Sequence, residues 1–136
     1  MPSALYQIIH KAMHARQLIG CKYNGLPRTA CPVILGYDKQ GEESAFVYQI
    51  AGRTSKNEKL PRWTCLKLQG VEELYVQDGA WLEGASHQQT QSCITFVDVD
   101  VNIPETLKRK KPLKFGSPKL RPPRGADKLK GTKSRT

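Results

Sequence analysis

Between Ser3 and Arg16 the apolar residues Leu5, Ile8, Ile9, Ala12 and Met13 recur at helical spacing, and Ser3 stands where an N-cap oxygen is needed. From Leu18 onward the pattern shortens to runs rich in β-branched and aromatic residues. QLIGCKY is closed by Asn24-Gly25, a strong hairpin turn signal, and TACPVILGY is closed by Asp38 to Gly41. In SAFVYQIA, Phe46, Tyr48 and Ile50 share one face, while Val47 and Gln49 share the other. WTCLKL alternates again after the polar loop GRTSKNEKLPR. VEELYV reads as a short strand or a helical turn. CITFVDVDV sets Val97, Val99 and Val101 against Asp98 and Asp100. The pattern predicts a mainly β (α+β) fold in which an N-terminal helix caps a small, strongly bent antiparallel sheet or barrel.

Beyond Pro104 this patterning stops. Pro112, Pro118, Pro122 and Pro123, with Gly116, Gly125 and Gly131, leave too few apolar residues to predict a packed element. The expected organisation is therefore one domain over residues 1–104 and a disordered basic tail over 105–136. Charge sharpens this division. From Glu105 to Thr136 there are 12 Lys and Arg against 2 acids, so this segment carries the whole formal charge of +10, while the first 104 residues balance 10 basic against 10 acidic. A neutral body with a cationic arm draws polyanions through the arm. Lys108-Arg109-Lys110-Lys111 is the densest basic cluster and also fits a loose nuclear-localisation pattern.

The four cysteines, Cys21, Cys31, Cys65 and Cys93, show no metal-finger or redox-motif spacing and read as buried reduced thiols. His10, Lys11 and His14 interrupt the N-terminal apolar run that a signal peptide would need. The expectation is a soluble protein of a reducing compartment, cytoplasmic, with nucleoid or (in a eukaryote) nuclear association compatible with the basic arm.

Candidate chemistry centres on anions. In the loop before WTCLKL, Arg53, Lys56, Lys59 and Arg62 stand among hydroxyl and amide side chains with Glu58 as the one opposing acid, and Trp63 follows. Cations neutralise phosphate, polar donors orient it and an aromatic ring stacks on a base. The alternative is a solvated loop with Trp63 in the core. Asp98 and Asp100 could share a divalent metal but read better as the wet face of an edge strand. His10 and His14, one helical turn apart, suit a pair of metal ligands but lack an acidic or thiol partner nearby. A nucleophile built from Cys65 or Cys93 with His87 is the one catalytic option, and no catalytic or phosphate-loop motif accompanies it. No enzyme activity, cofactor or metal is expected.

The segments "IIHKAMHARQLIGCKYNG", "RTACPVILGY" and "AFVYQIAGRTSKNEKLPRWTCLKLQGV" resemble, in their order, the WYL-domain family of bacterial regulators. The matching positions are Arg16, Tyr23, Arg28, Pro32, Phe46-Val47-Tyr48 in place of the Trp-Tyr-Leu tripeptide, Arg62 and Leu66 to Val71. The resemblance implies a stand-alone Sm-like or SH3-like barrel that holds a nucleic acid, nucleotide or other anion, with Tyr23, Arg28, Tyr48, Arg53 and Arg62 as its patch and Trp63 beside them. The expected function is a non-enzymatic nucleic-acid-binding accessory or regulatory protein, favouring single-stranded DNA or RNA, with Lys108, Arg109, Lys110 and Lys111 adding phosphate contacts. The alternative is a protein-interaction module in which Trp81, Leu82 and an exposed sheet edge dock on a partner and the tail orders in the complex.

Overall fold

The computed structural model describes residues 2–54, 56, 59–79 and 93–120. Helix α1 (Ala4–His14) leads into β1 (Leu18–Tyr23), β2 (Leu26–Tyr37), β3 (Glu43–Gly52), β4 (Arg62–Lys67), β5 (Val71–Gln77) and β6 (Phe96–Asp100). The fold is mainly β, with one N-terminal helix on a six-stranded antiparallel sheet. The order β4-β3-β2-β1-β5 leaves the sheet open rather than closed into a barrel. β2 holds it together: β3 runs along one side, while the other is shared by β1, paired to residues 26–30, and β6, paired to residues 34–37. Register shifts at Thr29/Ala30 and Pro32/Ile34 mark the bulges that bend the sheet.

Local chemistry explains the elements. Ser3 caps α1, its Oγ accepting from the Tyr6 amide at 3.2 Å. Asn24 and Gly25 both take positive φ, 54° and 78°, which is the backbone a two-residue hairpin turn requires. In the next turn the Asp38 carboxylate accepts from the amides of Gln40 and Glu42, both at 2.9 Å. VEELYV resolves as strand, entered through a short 3₁₀ turn at Leu68–Gly70. Its Tyr75 ring lies over Gly20, where any added Cβ would collide with it. The helix buries Tyr6, Ile9, Ala12 and Met13 against β1, β2 and β5 in a core with Ile19, Leu35, Val47, Leu66 and Val99.

Three expectations change. First, Asp98 and Asp100 are not a wet face: Asp98 is fully buried and Asp100 is 5 % exposed. The alternation in β6 is as the sequence suggests, but both faces are covered, because the chain turns at Pro104–Leu107 and residues 105–120 fold back onto the body. Second, the body does not end at Pro104. Leu107 and Leu113 pack against the core, Leu120 is buried in it, and Phe115 meets the rings of Tyr37 and Phe96 at 5.4 and 5.3 Å. The apolar residues of this segment have no period, so they do not announce an element. The remainder of the basic tail, 121–136, lies outside the described residues. Third, the cysteines are not all reduced thiols: Cys65 and Cys93 form a disulfide, while Cys21 and Cys31 are buried outside it.

Asp98 is the point where these parts meet. Its Oδ2 accepts from the Tyr6 hydroxyl at 2.7 Å and from the Leu113 amide at 3.0 Å, and its Oδ1 pairs with Arg109 Nη2 at 3.3 Å. Arg109 also donates to the Asp98 backbone carbonyl. Tyr37, stacked on Tyr6 at 5.4 Å, donates through its hydroxyl to the Leu113 carbonyl at 2.7 Å. Burial, then the Asp98 charge, pushes the Tyr6 phenol far above its ordinary range, and burial lifts Tyr37 to about 12.

Replacing Asp98 with Ala strands the donors of Tyr6, Arg109 and Leu113, so a loss of about 3 kcal/mol or more is expected in urea denaturation. Tyr6→Phe, which removes one of those bonds, should cost about 1–3 kcal/mol by the same measurement. Reducing the disulfide across its separation of 28 residues should cost about 3–4 kcal/mol on loop-closure grounds. A denaturation midpoint unmoved by reductant would contradict that link.

Candidate nucleic-acid interface

The anion-binding residues expected in the body do not form one patch. Tyr48 pairs with Trp63 and Gln49 with Arg62 across β3 and β4, and the pleat sends neighbouring residues to opposite faces. Tyr48 and Trp63 therefore lie on one side of the sheet, their rings 4.6 Å apart, with Phe46 stacked on Trp63 at 5.1 Å and 3°. Arg62 projects to the other side, along with the fully buried Gln49. Arg28 joins that second group.

Arg28 is 6 % exposed and belongs to the interior. Its Nη1 donates to Gln49 Oε1 at 3.4 Å, and its guanidinium lies 5.2 Å from the centre of the Tyr23 ring. Gln49 in turn donates to the carbonyls of Ala51 and Arg53, both at 3.1 Å, which ties the end of β3 to this buried polar group. Tyr23 accepts from the Lys67 amide at 3.2 Å. Arg53 is exposed, as are Lys56 and Lys59, while Thr54 is buried. Arg28 thus braces the strand ends, and the aromatic face of half-buried Trp63 and Tyr48, backed by buried Phe46, stands apart from it.

The basic cluster of the tail is placed differently. Arg109 is used internally by Asp98, and its carbonyl sits 2.9 Å from His14 Nε2. That bond seats the following residues along α1. Lys110, Lys111 and Pro112 then form one wall of a groove of about 550 Å³ whose other wall is Gln7, Ile8, His10, Lys11 and His14. Lys11, Lys110 and Lys111 are exposed at its rim, and among the described residues no carboxylate pairs with them. Lys108 is exposed nearby in sequence. Sequence reasoning named the tail lysines but not Lys11 or His10 as their partners, because nothing in the composition of 105–112 shows which surface it lies on.

The two histidines stack at 4.5 Å, yet they do not form a chelating pair, since both ring nitrogens of His14 face carbonyls, those of His10 at 3.0 Å and Arg109 at 2.9 Å. His10 is buried, and its Nε2 has no hydrogen-bond partner. Cys65 and Cys93, being bonded to each other, offer no thiolate nucleophile in this state. His87, Trp81 and Leu82 lie outside the described residues.

Burial pulls the His10 imidazole below its ordinary value; Asp98 opposes this, while His14 and Arg109 reinforce it. The unfolded chain takes up this proton near pH ~6.5 and the folded chain only lower, so the contribution is complete above that pH and lost as pH falls through the lowered folded value. The urea midpoint is expected to drop from pH 7 to pH 5, and His10→Phe should flatten that slope; an equal slope in the variant would contradict it.

Among the described residues no helix is long and apolar enough to cross a membrane. No family model, no curated protein and no solved structure matches this chain, so the comparisons lend no support to the expected resemblance to WYL domains.

Proposed function

We propose that the protein is a non-enzymatic nucleic-acid-binding accessory protein that contacts phosphates through the groove between α1 and residues 110–112. The observation that carries this reading is the convergence of Lys11, Lys110 and Lys111 on one groove with no described acid opposing them. Electrostatics supplies the rest. A chain with a net charge of +10, all of it accounted for by residues 105–136, approaches a polyanion tail first, and the docked root of that tail fixes where the strand meets the body. Arg121, Arg124, Lys128, Lys130, Lys133 and Arg135 follow beyond the described residues and extend the same charge.

The aromatic face of Trp63 and Tyr48 favours a single strand over a duplex, since unpaired bases can stack on half-buried rings and paired bases cannot. Arg28 contributes by holding the sheet rather than by touching phosphate. A second reading has one observation behind it: the edge strand β5 exposes Tyr75 and Val76, with Ile8 exposed on the adjacent helix, which suits addition of a strand from a protein partner.

Fluorescence anisotropy over a salt series separates the two. For single-stranded probes, the full chain carrying Lys11→Glu, Lys110→Glu and Lys111→Glu should lose affinity, and its log–log salt slope should fall by about 0.7 for each phosphate contact removed. A slope equal to that of the unaltered protein would overturn the groove as the contact. A partner retained at high salt and released by Val76→Glu would favour the strand-edge reading.

A further inference from the structure

This inference rests on the nucleic-acid reading and names a control on the aromatic face which that reading uses. We propose that the Cys65–Cys93 disulfide is a redox clasp: a dithiol opens it in the folded protein, releases the edge strand β4 and lowers affinity for a single strand. Cys65 lies in β4, whose only strand partner among the described residues is β3. Cys93 precedes Ile94, which is buried, and Thr95, whose amide donates to the Tyr37 carbonyl at 2.9 Å, so its neighbours are fastened to β2. The bridge therefore joins the outermost strand to the centre of the sheet.

Position links the bond to the aromatic face. Cys65 stands opposite Phe46 and Trp63 opposite Tyr48, so the pleat puts all four side chains on one side of the sheet. Trp63 stacks on Phe46 at 5.1 Å and meets Tyr48 at 4.6 Å, which makes the strand that carries Cys65 also the strand that presents the stacking ring. An edge strand held on one side by backbone bonds opens at lower free energy than strands inside the sheet. Cutting the covalent tie leaves β4 with its ladder to β3 and the buried Leu66.

Access singles out this pair of cysteines. Cys65 and Cys93 are both partly exposed and both line a groove of about 300 Å³, with Asp38, Lys39 and Lys67 among its other walls. Cys21 and Cys31 are only 5 % and 0 % exposed, and burial raises the Cys21 thiol while Arg28 opposes it. Lys67 is shared with Asp38 at 3.8 Å and Glu42 at 3.6 Å, so these two acids offset it and Lys39, and the groove gives a departing thiolate little help. A dithiol meets that condition, because its second sulfur acts intramolecularly. One thiolate of the reductant attacks a bridge sulfur, forming a mixed disulfide and expelling the other cysteine as thiolate. The second thiol then attacks the mixed disulfide, and the reductant leaves as a cyclic disulfide. Two electrons pass to the cysteines, and the reductant's two protons end on their thiols.

The test poises the full chain in native buffer across a series of oxidised-to-reduced dithiothreitol ratios. Iodoacetamide labelling of aliquots, backbone amide shifts and the anisotropy of a labelled single-stranded oligonucleotide are read at each ratio. Cys65 and Cys93 should label together in a step that oxidation reverses, while Cys21 and Cys31 stay unlabelled, and shift changes should gather on β4 and residues 93–96. Affinity should fall about tenfold across the same step, the equivalent of about one stacked base. Cys65→Ser combined with Cys93→Ser should match the reduced chain and ignore the ratio. Labelling of Cys21 and Cys31 in the same step, with loss of the native β1 and β2 shifts, would mean that the bond opens only by unfolding and would overturn the clasp. Local opening with equal affinity in both states would also overturn it and leave nucleic-acid binding standing. Local opening with no binding in either state would overturn the nucleic-acid reading and retain the release of β4.

Discussion

A carboxylate buried in a protein interior must be paired and hydrogen-bonded or it opposes folding. Among the described residues, Asp98 meets that condition through residues outside its own strand: Tyr6 on the first helix, and Arg109 and Leu113 on the segment after the last strand. The first and last parts of the fold are therefore conditional on each other. If the segment 105–120 lifts away, Asp98 keeps the Tyr6 hydroxyl and loses its cation, and the covered face of β6 meets water. The aromatic pair Tyr6 and Tyr37 carries the same link through packing, since one hydroxyl reaches Asp98 and the other reaches the Leu113 carbonyl.

This constraint decides what the basic tail can do. Of the run from Lys108 to Lys111, Arg109 turns inward to neutralise Asp98, and Lys110 and Lys111 are left outward beside Lys11 of the helix. The arm is thus a charged extension whose first residues are registered against the body. A freely moving arm would give attraction without position. An arm rooted at Arg109 brings the charge of Lys110 and Lys111 to one groove beside Lys11.

Much of the architecture was legible in the residues. Ser3 and the spacing of Ile9, Ala12 and Met13 give the helix, Asn24-Gly25 gives the first hairpin, and the alternation through Phe46, Val47 and Tyr48 gives the faces of β3. Arg62 and Trp63, expected in one patch, are adjacent in β4, and the pleat of a paired strand sends them to opposite faces. Other features carry no local signal. β6 alternates Val with Asp in the manner of a half-exposed strand, and only the covering segment, whose Leu107, Leu113, Phe115 and Leu120 follow no period, turns its aspartates inward. Cys65 and Cys93 are brought together by the sheet and not by any spacing. Arg28 looks like an anion ligand until Tyr23 and Gln49 are seen to enclose it, and His10 stands out only when residues 109–112 are laid along its helix.

Native-state hydrogen exchange at the Leu113 amide tests the central link most directly, because that amide is held by Asp98 and lies within the stretch whose composition suggests a loose tail. If the tail root belongs to the fold, the Leu113 amide exchanges slowly, in step with the amides of the β2 and β3 core. Exchange at the rate of an unstructured peptide, with the core still protected, would mean that residues 105–120 are not fastened to the body and that the groove beside His10 does not persist in solution.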